Sequence, residues 1–255
     1  MSKEYAETPI SASSKIDMKK HAGKSTASEL YEYQKIVGKY NFSSCMIRCD
    51  TSYATSQMAR YMCNPSPRHH QHLLRIPRYL STCPEKGLFY KKNHRHLKKF
   101  GNYGLHCAVD ASFEDDHDSS KSTTGYVIFM AGSPVIWRSK LQSTVSTLTC
   151  EAEYAAMFEA IKDCSWIRNF LTELELMPDG PIPILEDNTG AIKWAKDDGI
   201  FSGRRHVRIE YHYIVQEVRC GNVEIQYIAS DQNPADGFTN PLTTDSLHDL
   251  QSIWE

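Results

Sequence analysis

The sequence predicts an α/β fold: a mixed five-stranded sheet flanked by helices, preceded by a small, mostly helical segment. Three observations predict it. Hydrophobic residues recur at three- and four-residue steps over residues 29–63, the mark of amphipathic helices. From about residue 104 the period shortens, and three β-like runs follow one another with short turns between them. Beyond residue 150, helices and short apolar runs alternate, so the later strands are reached by helical crossovers.

The elements follow in order. Residues 1–28 are polar and rich in Ser, Lys and Ala, an extended lead-in that stays poorly ordered unless it docks. Over 29–63, Leu30, Tyr33, Ile36, Val37 and Tyr40 recur at three- and four-residue helical steps, and so do Tyr53, Gln57, Met58 and Tyr61. Asn64-Pro65-Ser66-Pro67 breaks the pattern. Residues 68–80 read as a third helix that must kink or end at Pro77, because an interior proline removes a backbone bond and costs about 3 kcal/mol. Gly104–Phe113, Gly125–Ala131 and Pro134–Lys140 are the hairpin-linked strands, with Gly132-Ser133 suited to a tight turn. A long helix spans about 150–175 on the stripe Tyr154, Phe158, Ile161, Cys164, Ile167, Leu171 and Leu174, with Glu151 and Glu153 in its dipole-favoured first turn. Pro183–Glu186 is a strand, Thr189–Lys196 and 208–219 are helices, Val223–Ala229 is a strand, and Asn233–Phe238 opens a final helical turn. The expected organisation is a lead-in (1–28), a helical segment (29–100), an α/β domain (104–242) and a tail (243–255).

Composition narrows the function. The 255 residues are 40% hydrophobic and 24% charged, which excludes fibres and full-length disorder. No run of eighteen apolar residues exists, so no membrane span is expected, and MSKEYAETPISASSK lacks the apolar core of a secretory signal. Eight cysteines without a CxxC pair therefore read as reduced thiols, in the cytoplasm or the nucleus. His69, His70 and His72 lack the spaced partner pair of a zinc site and read as a solvated or RNA-facing basic stretch. The net charge of -2 hides a split. Residues 1–109 carry 18 Lys+Arg against 7 Asp+Glu, or +11, and residues 110–255 carry 11 against 24, or -13. Either the basic half grips a polyanion or the two halves attract one another.

Four carboxylates stand at strand ends and helix starts: Asp110 among apolar residues of the first strand, Glu153 in the first turn of the long helix, Asp187 after the fourth strand, and Asp236 at the last helical turn. An acid inside a strand core is costly unless paired or metal-bound, and several together repel until a divalent cation joins them. An all-oxygen ligand set suits magnesium or manganese rather than zinc.

The motifs then become specific. Val109-Asp110-Ala111-Ser112, Lys121-Ser122-Thr123-Thr124-Gly125-Tyr126, Val135-Ile136-Trp137-Arg138-Ser139-Lys140, Glu151-Ala152-Glu153-Tyr154, Glu186-Asp187-Asn188, Arg205-His206-Val207, Tyr211-His212-Tyr213-Ile214 and Ala235-Asp236-Gly237-Phe238-Thr239 occur in that order. Together they resemble the ribonuclease H domain of copia-type LTR retrotransposon polyproteins over residues 108–242. Tyr33–Gly38, Arg48–Met62 and Arg75–Tyr90 are similar to the tail of the family's reverse transcriptase, so the likeness covers about 230 residues. No Tyr-x-Asp-Asp motif is present, since neither Asp115-Asp116 nor Asp197-Asp198 follows Tyr-x; this chain is not expected to polymerise DNA by itself.

The resemblance implies a ribonuclease H-like fold and a nuclease with two Mg2+ or Mn2+ ions that cleaves the RNA strand of RNA–DNA hybrids. It implies that Asp110 bridges both ions, that Asp236 helps hold the ion activating the attacking water, and that Glu153 and Asp187 hold the ion at the leaving 3′ oxygen. Candidate nucleic-acid contacts are Ser112, Lys121, Ser122, Thr123, Arg138, Lys140, Asn188, Arg204, Arg205 and His206. His206 is open between a phosphate role and a structural one. The chain departs from the family at Cys49, where proline is usual, at Pro77, where leucine is usual, and at Asn240, where lysine is usual. These departures leave a second reading open: a catalytically silent remnant that binds nucleic acid or the polymerase segments of the same polyprotein.

Overall fold

The computed structural model describes residues 5–11, 18–90, 102–196 and 207–252. Four helices come first: α1 (Ala27–Met46), α2 (Ser52–Ala59), α3 (Pro67–Leu73) and α4 (Arg75–Thr82). A capping box starts α1: Glu29 N–H donates to Thr26 Oγ1 at 3.2 Å, and Thr26 N–H donates to Glu29 Oε2 at 2.8 Å. The periodic stretch 29–63 forms two helices, α1 and α2. Between them Asp50 turns inward, where Arg48 donates to both its oxygens at 3.0 and 2.8 Å and the Tyr79 hydroxyl donates at 2.6 Å. Burying that acid requires the short 3-10 turn Cys49–Thr51 in place of continuous helix. The expected break at Pro77 falls earlier, at Leu74, so Pro77 becomes the third residue of α4. A missing N–H there costs little, because first-turn donors have no helical partner anyway.

Tyr33, Val37, Tyr53, Met58, Leu73 and Ile76 form the helical core, and Ile10 and Met18 of the lead-in join it. Residues 5–11 are therefore docked: Arg75 donates to the Thr8 carbonyl at 2.9 Å and to its hydroxyl at 3.0 Å.

The sheet consists of β1 (His106–Asp116), β2 (Lys121–Met130), β3 (Ser133–Leu141), β4 (Ile182–Glu186) and β5 (Val223–Tyr227), in the order β3-β2-β1-β4-β5. The first three are antiparallel, β4 is parallel to β1, and β5 is parallel to β4. This is the mixed ribonuclease H-like sheet that the sequence predicts. Ala131 (φ 53°) and Gly132 (φ 83°) make the β2–β3 turn, and two consecutive left-handed residues match the twist of a two-residue hairpin.

The long helix α5 (Thr149–Glu173) covers one face, where Tyr154, Met157, Ile161 and Cys164 meet Cys107, Val109, Tyr126 and Ile128. Helices α6 (Thr189–Lys196) and α7 (Val207–Arg219) complete that layer. On the other face Ala108, Val127, Phe129 and Leu185 pack against Phe238 of the 3-10 turn Pro234–Phe238, Leu250 of α8 (Thr244–Ser252) and Cys49 of the helical segment. The region expected as a tail thus holds a packed helix. All eight cysteines are free. Among the described residues no helix is long and apolar enough to cross a membrane.

Candidate metal centre

Strand register builds the site. Ala108 lies opposite Leu185 on the parallel pair β1–β4; Asp110 follows two residues on within β1, and Asp187 is the residue just past the end of β4. Parallel pairing thus brings both acids to the same end of the sheet. The first turn of α5 supplies Glu153, and carboxylate oxygens of Asp110, Glu153 and Asp187 all lie within 4.8 Å of one another. Asp236 stands beside this trio rather than in it. Its Oδ1 accepts from Asn240 Nδ2 at 2.6 Å, and the same Asn240 accepts from the Ser112 hydroxyl at 3.3 Å. Thr239 donates its hydroxyl to Asp110, which ties the turn after Asp236 to the first carboxylate.

The electrostatics follow from burial and crowding. Burial pushes the Asp110 carboxyl up to about 6, with the Asp236 and Asp187 charges adding and the Thr239 hydrogen bond opposing. Glu153 is pushed up to about 11, by burial first and then by Glu186, Asp110 and Asp187. Glu186 was not among the residues singled out from the sequence. It is wholly buried and raised well above the usual carboxylate range by burial. One oxygen accepts the Asn188 N–H at 3.0 Å; the other, like Glu153 Oε2, has no hydrogen-bond partner. The signal that finds it is an acid one residue before Asp187, on the apolar face of a strand, in Ile184-Leu185-Glu186. Three carboxylates converging from β1, α5 and the end of β4, with Glu153 Oε2 buried and without a donor, fit a hard divalent cation, which takes oxygen ligands and relieves their repulsion.

The expected nucleic-acid contacts scatter. Lys140 and Arg138 are exposed on β3, and Lys121 is half-buried at the start of β2. Arg138 pairs with Asp163 at 3.6 Å. Ser112 is half-buried and bonded to Asn240. Ser122 and Thr123 point inward with no exposed surface: Ser122 accepts the Glu114 N–H at 3.3 Å, and Thr123 donates to Asp115 at 2.6 Å. Asn188 Oδ1 caps α6 through the N–H groups of Gly190 and Ala191, at 2.9 and 3.1 Å. Arg204, Arg205 and His206 lie outside the described residues. The histidine stretch is likewise not uniformly solvated, because His69 is buried as the cap of α3.

No protein-family model matches the chain. It is 31% identical over 245 residues to the retrovirus-related Pol polyprotein from transposon RE1 of Arabidopsis thaliana, across 96% of this chain and 16% of that protein. To the Pol polyprotein from transposon RE2 of the same plant it is 32% identical over 236 residues, across 92% and 16%. The chain belongs to the copia-type LTR-retrotransposon Pol polyproteins. As a Pol fragment it spans about a sixth of the length of these relatives. Among solved structures it is similar to the foamy viral protease-reverse transcriptase in complex with RNA/DNA hybrid, at 13% identity and a TM-score of 0.44, across 86% of this chain and 27% of that one. It is also similar to LC11-RNase H1 in complex with RNA/DNA hybrid, at 15% identity and a TM-score of 0.39, across 52% and 92%. The cluster of Asp110, Glu153 and Asp187 is a candidate divalent-cation site of this Pol fragment.

Proposed function

We propose that this Pol fragment hydrolyses the RNA strand of RNA–DNA hybrids with two divalent ions held by Asp110, Glu153, Asp187 and Asp236. The observation that carries the reading is the convergence of Asp110, Glu153 and Asp187 within 4.8 Å. Bound magnesium or manganese supplies an activated water and charge relief at the leaving 3′ oxygen. The chain's own residues do the rest. Asp110 would be a ligand common to both ions, its carboxylate held by the Thr239 hydroxyl. Glu153 and Asp187 would hold the ion that relieves charge on the leaving group, and Asp236, bonded by Asn240, would help hold the ion that activates water. Hybrid recognition runs through 2′-hydroxyls and backbone shape rather than base sequence, with Ser112, Lys121, Arg138 and Lys140 as the contacts.

The test is cleavage of an end-labelled hybrid with magnesium or manganese. Asp110→Asn is expected to abolish it, and full-rate cleavage by Asp110→Asn would overturn the assignment. One observation favours the silent-remnant reading: Asp236 is engaged by Asn240, where the family usually has lysine. Salt-sensitive hybrid binding without product under the same conditions would decide for that reading.

A further inference from the structure

The outer face of α5 carries an apolar stripe that stays open among the described residues. Trp166, Phe170 and Leu174 follow at four-residue steps, on the side of the helix away from the core residues Ile161, Cys164 and Leu171. Trp166 is 59% exposed, and Phe170, Leu174 and Leu176 are about half exposed. The two aromatic rings stack at 5.5 Å and lie 5° from parallel, so they present one flat surface. The helix end beside them is fixed. Glu175 N–H donates to the Thr172 carbonyl at 3.0 Å and Leu176 N–H to the Leu171 carbonyl at 2.8 Å, which folds the chain back over the last turn. Glu175 takes a left-handed φ of 58° to do this, at a position that usually falls to glycine. Arg168 ties the next loop down through the Gly180 and Asn222 carbonyls, both at 3.2 Å. The stripe is therefore ordered in advance, and an ordered surface loses less entropy on association.

We infer that this face pairs with a second copy of the chain, α5 against α5, antiparallel about a two-fold axis at Phe170. Such an interface is self-complementary. Phe170 meets its own counterpart, and Trp166 meets the second copy's Leu174. The charges fit the same direction. Residues 172–180 hold Glu173, Glu175 and Asp179 and no basic residue, and the antiparallel register turns Lys162 toward that end of the second copy. Lys162 is bonded only to Glu159 of its own helix, at 2.6 Å and in the open, an ion pair that costs little to exchange. A parallel pairing would instead stack the two acidic ends and align the helix dipoles. The area suffices for a weak dimer. Each of the four side chains exposes about 100 Å², or about 800 Å² of apolar surface for two copies. At the apolar share of about 65% usual in homodimers the whole interface is about 1,200 Å², the low end of specific interfaces. Phe170 lies about 25 Å along the helix from Glu153. The pairing therefore leaves both acidic clusters open, at opposite ends of the dimer.

Sedimentation velocity of the full chain is measured from about 1 to 500 μM. The mass is expected to rise from 29.1 kDa toward twice that value and to stop there. The dissociation constant expected for so small an interface is on the order of 10–100 μM. Trp166→Lys/Phe170→Lys is expected to weaken pairing at least about thirty-fold. Phe42→Lys, at an exposed position near the end of α1, is expected to leave it unchanged. A monomer at every concentration would overturn the inference, and binding of that monomer to phosphatidylcholine vesicles would reassign the face to lipid. Growth past the dimer, or an equal loss in Phe42→Lys, would overturn it as well. A second measurement reads the axis. With the exposed Cys45, Cys63 and Cys220 changed to serine, Phe170→Cys is expected to form a disulfide-linked dimer under mild oxidation, because a residue on a two-fold axis faces itself. Cross-linking no greater than that of Lys39→Cys in the same background would overturn the antiparallel pairing.

Discussion

At the residue scale, the buried carboxylates decide how the protein responds to pH and metal. Asp110 and Glu153 both have folded-state pKa values above their ordinary ones. The folded chain therefore holds protons that the unfolded chain releases, and stability falls as pH rises from about 4 through 6 and beyond. A divalent cation bound at this cluster would replace those protons. The melting temperature of the metal-free protein is expected to drop between pH 5 and pH 7.5, and the upshift on adding magnesium to be larger at pH 7.5. A magnesium upshift equal at both pH values would contradict the carboxylate cluster as the binding site. Asp110, Glu153 and Asp187 are legible in the sequence because acids among apolar neighbours at strand ends stand out. Glu186 escapes because a strand acid beside a motif aspartate looks like part of that motif until register shows which way it faces.

At the element scale, small contacts set the position of whole segments. A Cβ on Gly125 would lie 2.5 Å from Thr239 Cγ2, 2.9 Å from Phe238 Cβ and 3.1 Å from the Phe238 carbonyl carbon. Gly125→Ala must push the Pro234–Phe238 turn away from β2, and with it the Thr239 bond to Asp110. We expect hybrid cleavage to fall about 100-fold, with a stability cost of about 1–3 kcal/mol. Cleavage at the unsubstituted rate in a folded Gly125→Ala protein would show that this close approach does not position the site.

Helix α3 shows a cap of the same kind. Ser66 N–H donates to His69 Nδ1 at 3.0 Å, so Nε2 carries the proton that meets the Lys19 carbonyl at 3.0 Å. Burial pulls His69 down to about 4. Protonating Nδ1 would break the cap, and the unfolded histidine takes its proton near 6.5, so this contribution is lost as pH falls from 6.5 toward 4. Because this response opposes that of the carboxylates, denaturant midpoints of His69→Gln are expected to fall more steeply with rising pH over that window than those of the parent. The two pH responses oppose each other, and the variant separates them. Helix α8 was not visible from periodicity: only Leu247 and Leu250 of its nine residues are buried apolar side chains.

At the scale of the whole molecule, part of the charge split works internally. Asp115 of β1 accepts from Gln57 at 2.7 Å, Arg60 at 3.1 Å and Tyr53 at 3.2 Å, all from α2 or the residue after it, and from Thr123 of β2 at 2.6 Å. The Arg60 and Asp115 side chains are 9% and 0% exposed, so the pair is screened little by solvent. Arg60→Met leaves a buried acid short of its cation and is expected to cost about 3 kcal/mol, and adding Asp115→Leu is expected to recover much of that. Equal stability of Arg60→Met and the parent in urea unfolding would show that this clamp does not hold the helical segment to the sheet. Opposite charges in the two halves thus join them at α2.

The sequence by itself determined the strand and helix order, the mixed sheet and the three acids that converge as a candidate metal site, because period-two and period-3.6 patterns and costly buried charges are local signals. Tertiary structure alone decided that Asp50 breaks α1 from α2, that Ser122 and Thr123 turn inward, and that Glu186 lies behind Glu153. Each depends on which distant segment covers a face, as Arg60 covers Thr123 and Tyr79 covers Asp50. Such pairings cross tens of residues and are set by packing rather than by any spacing along the chain.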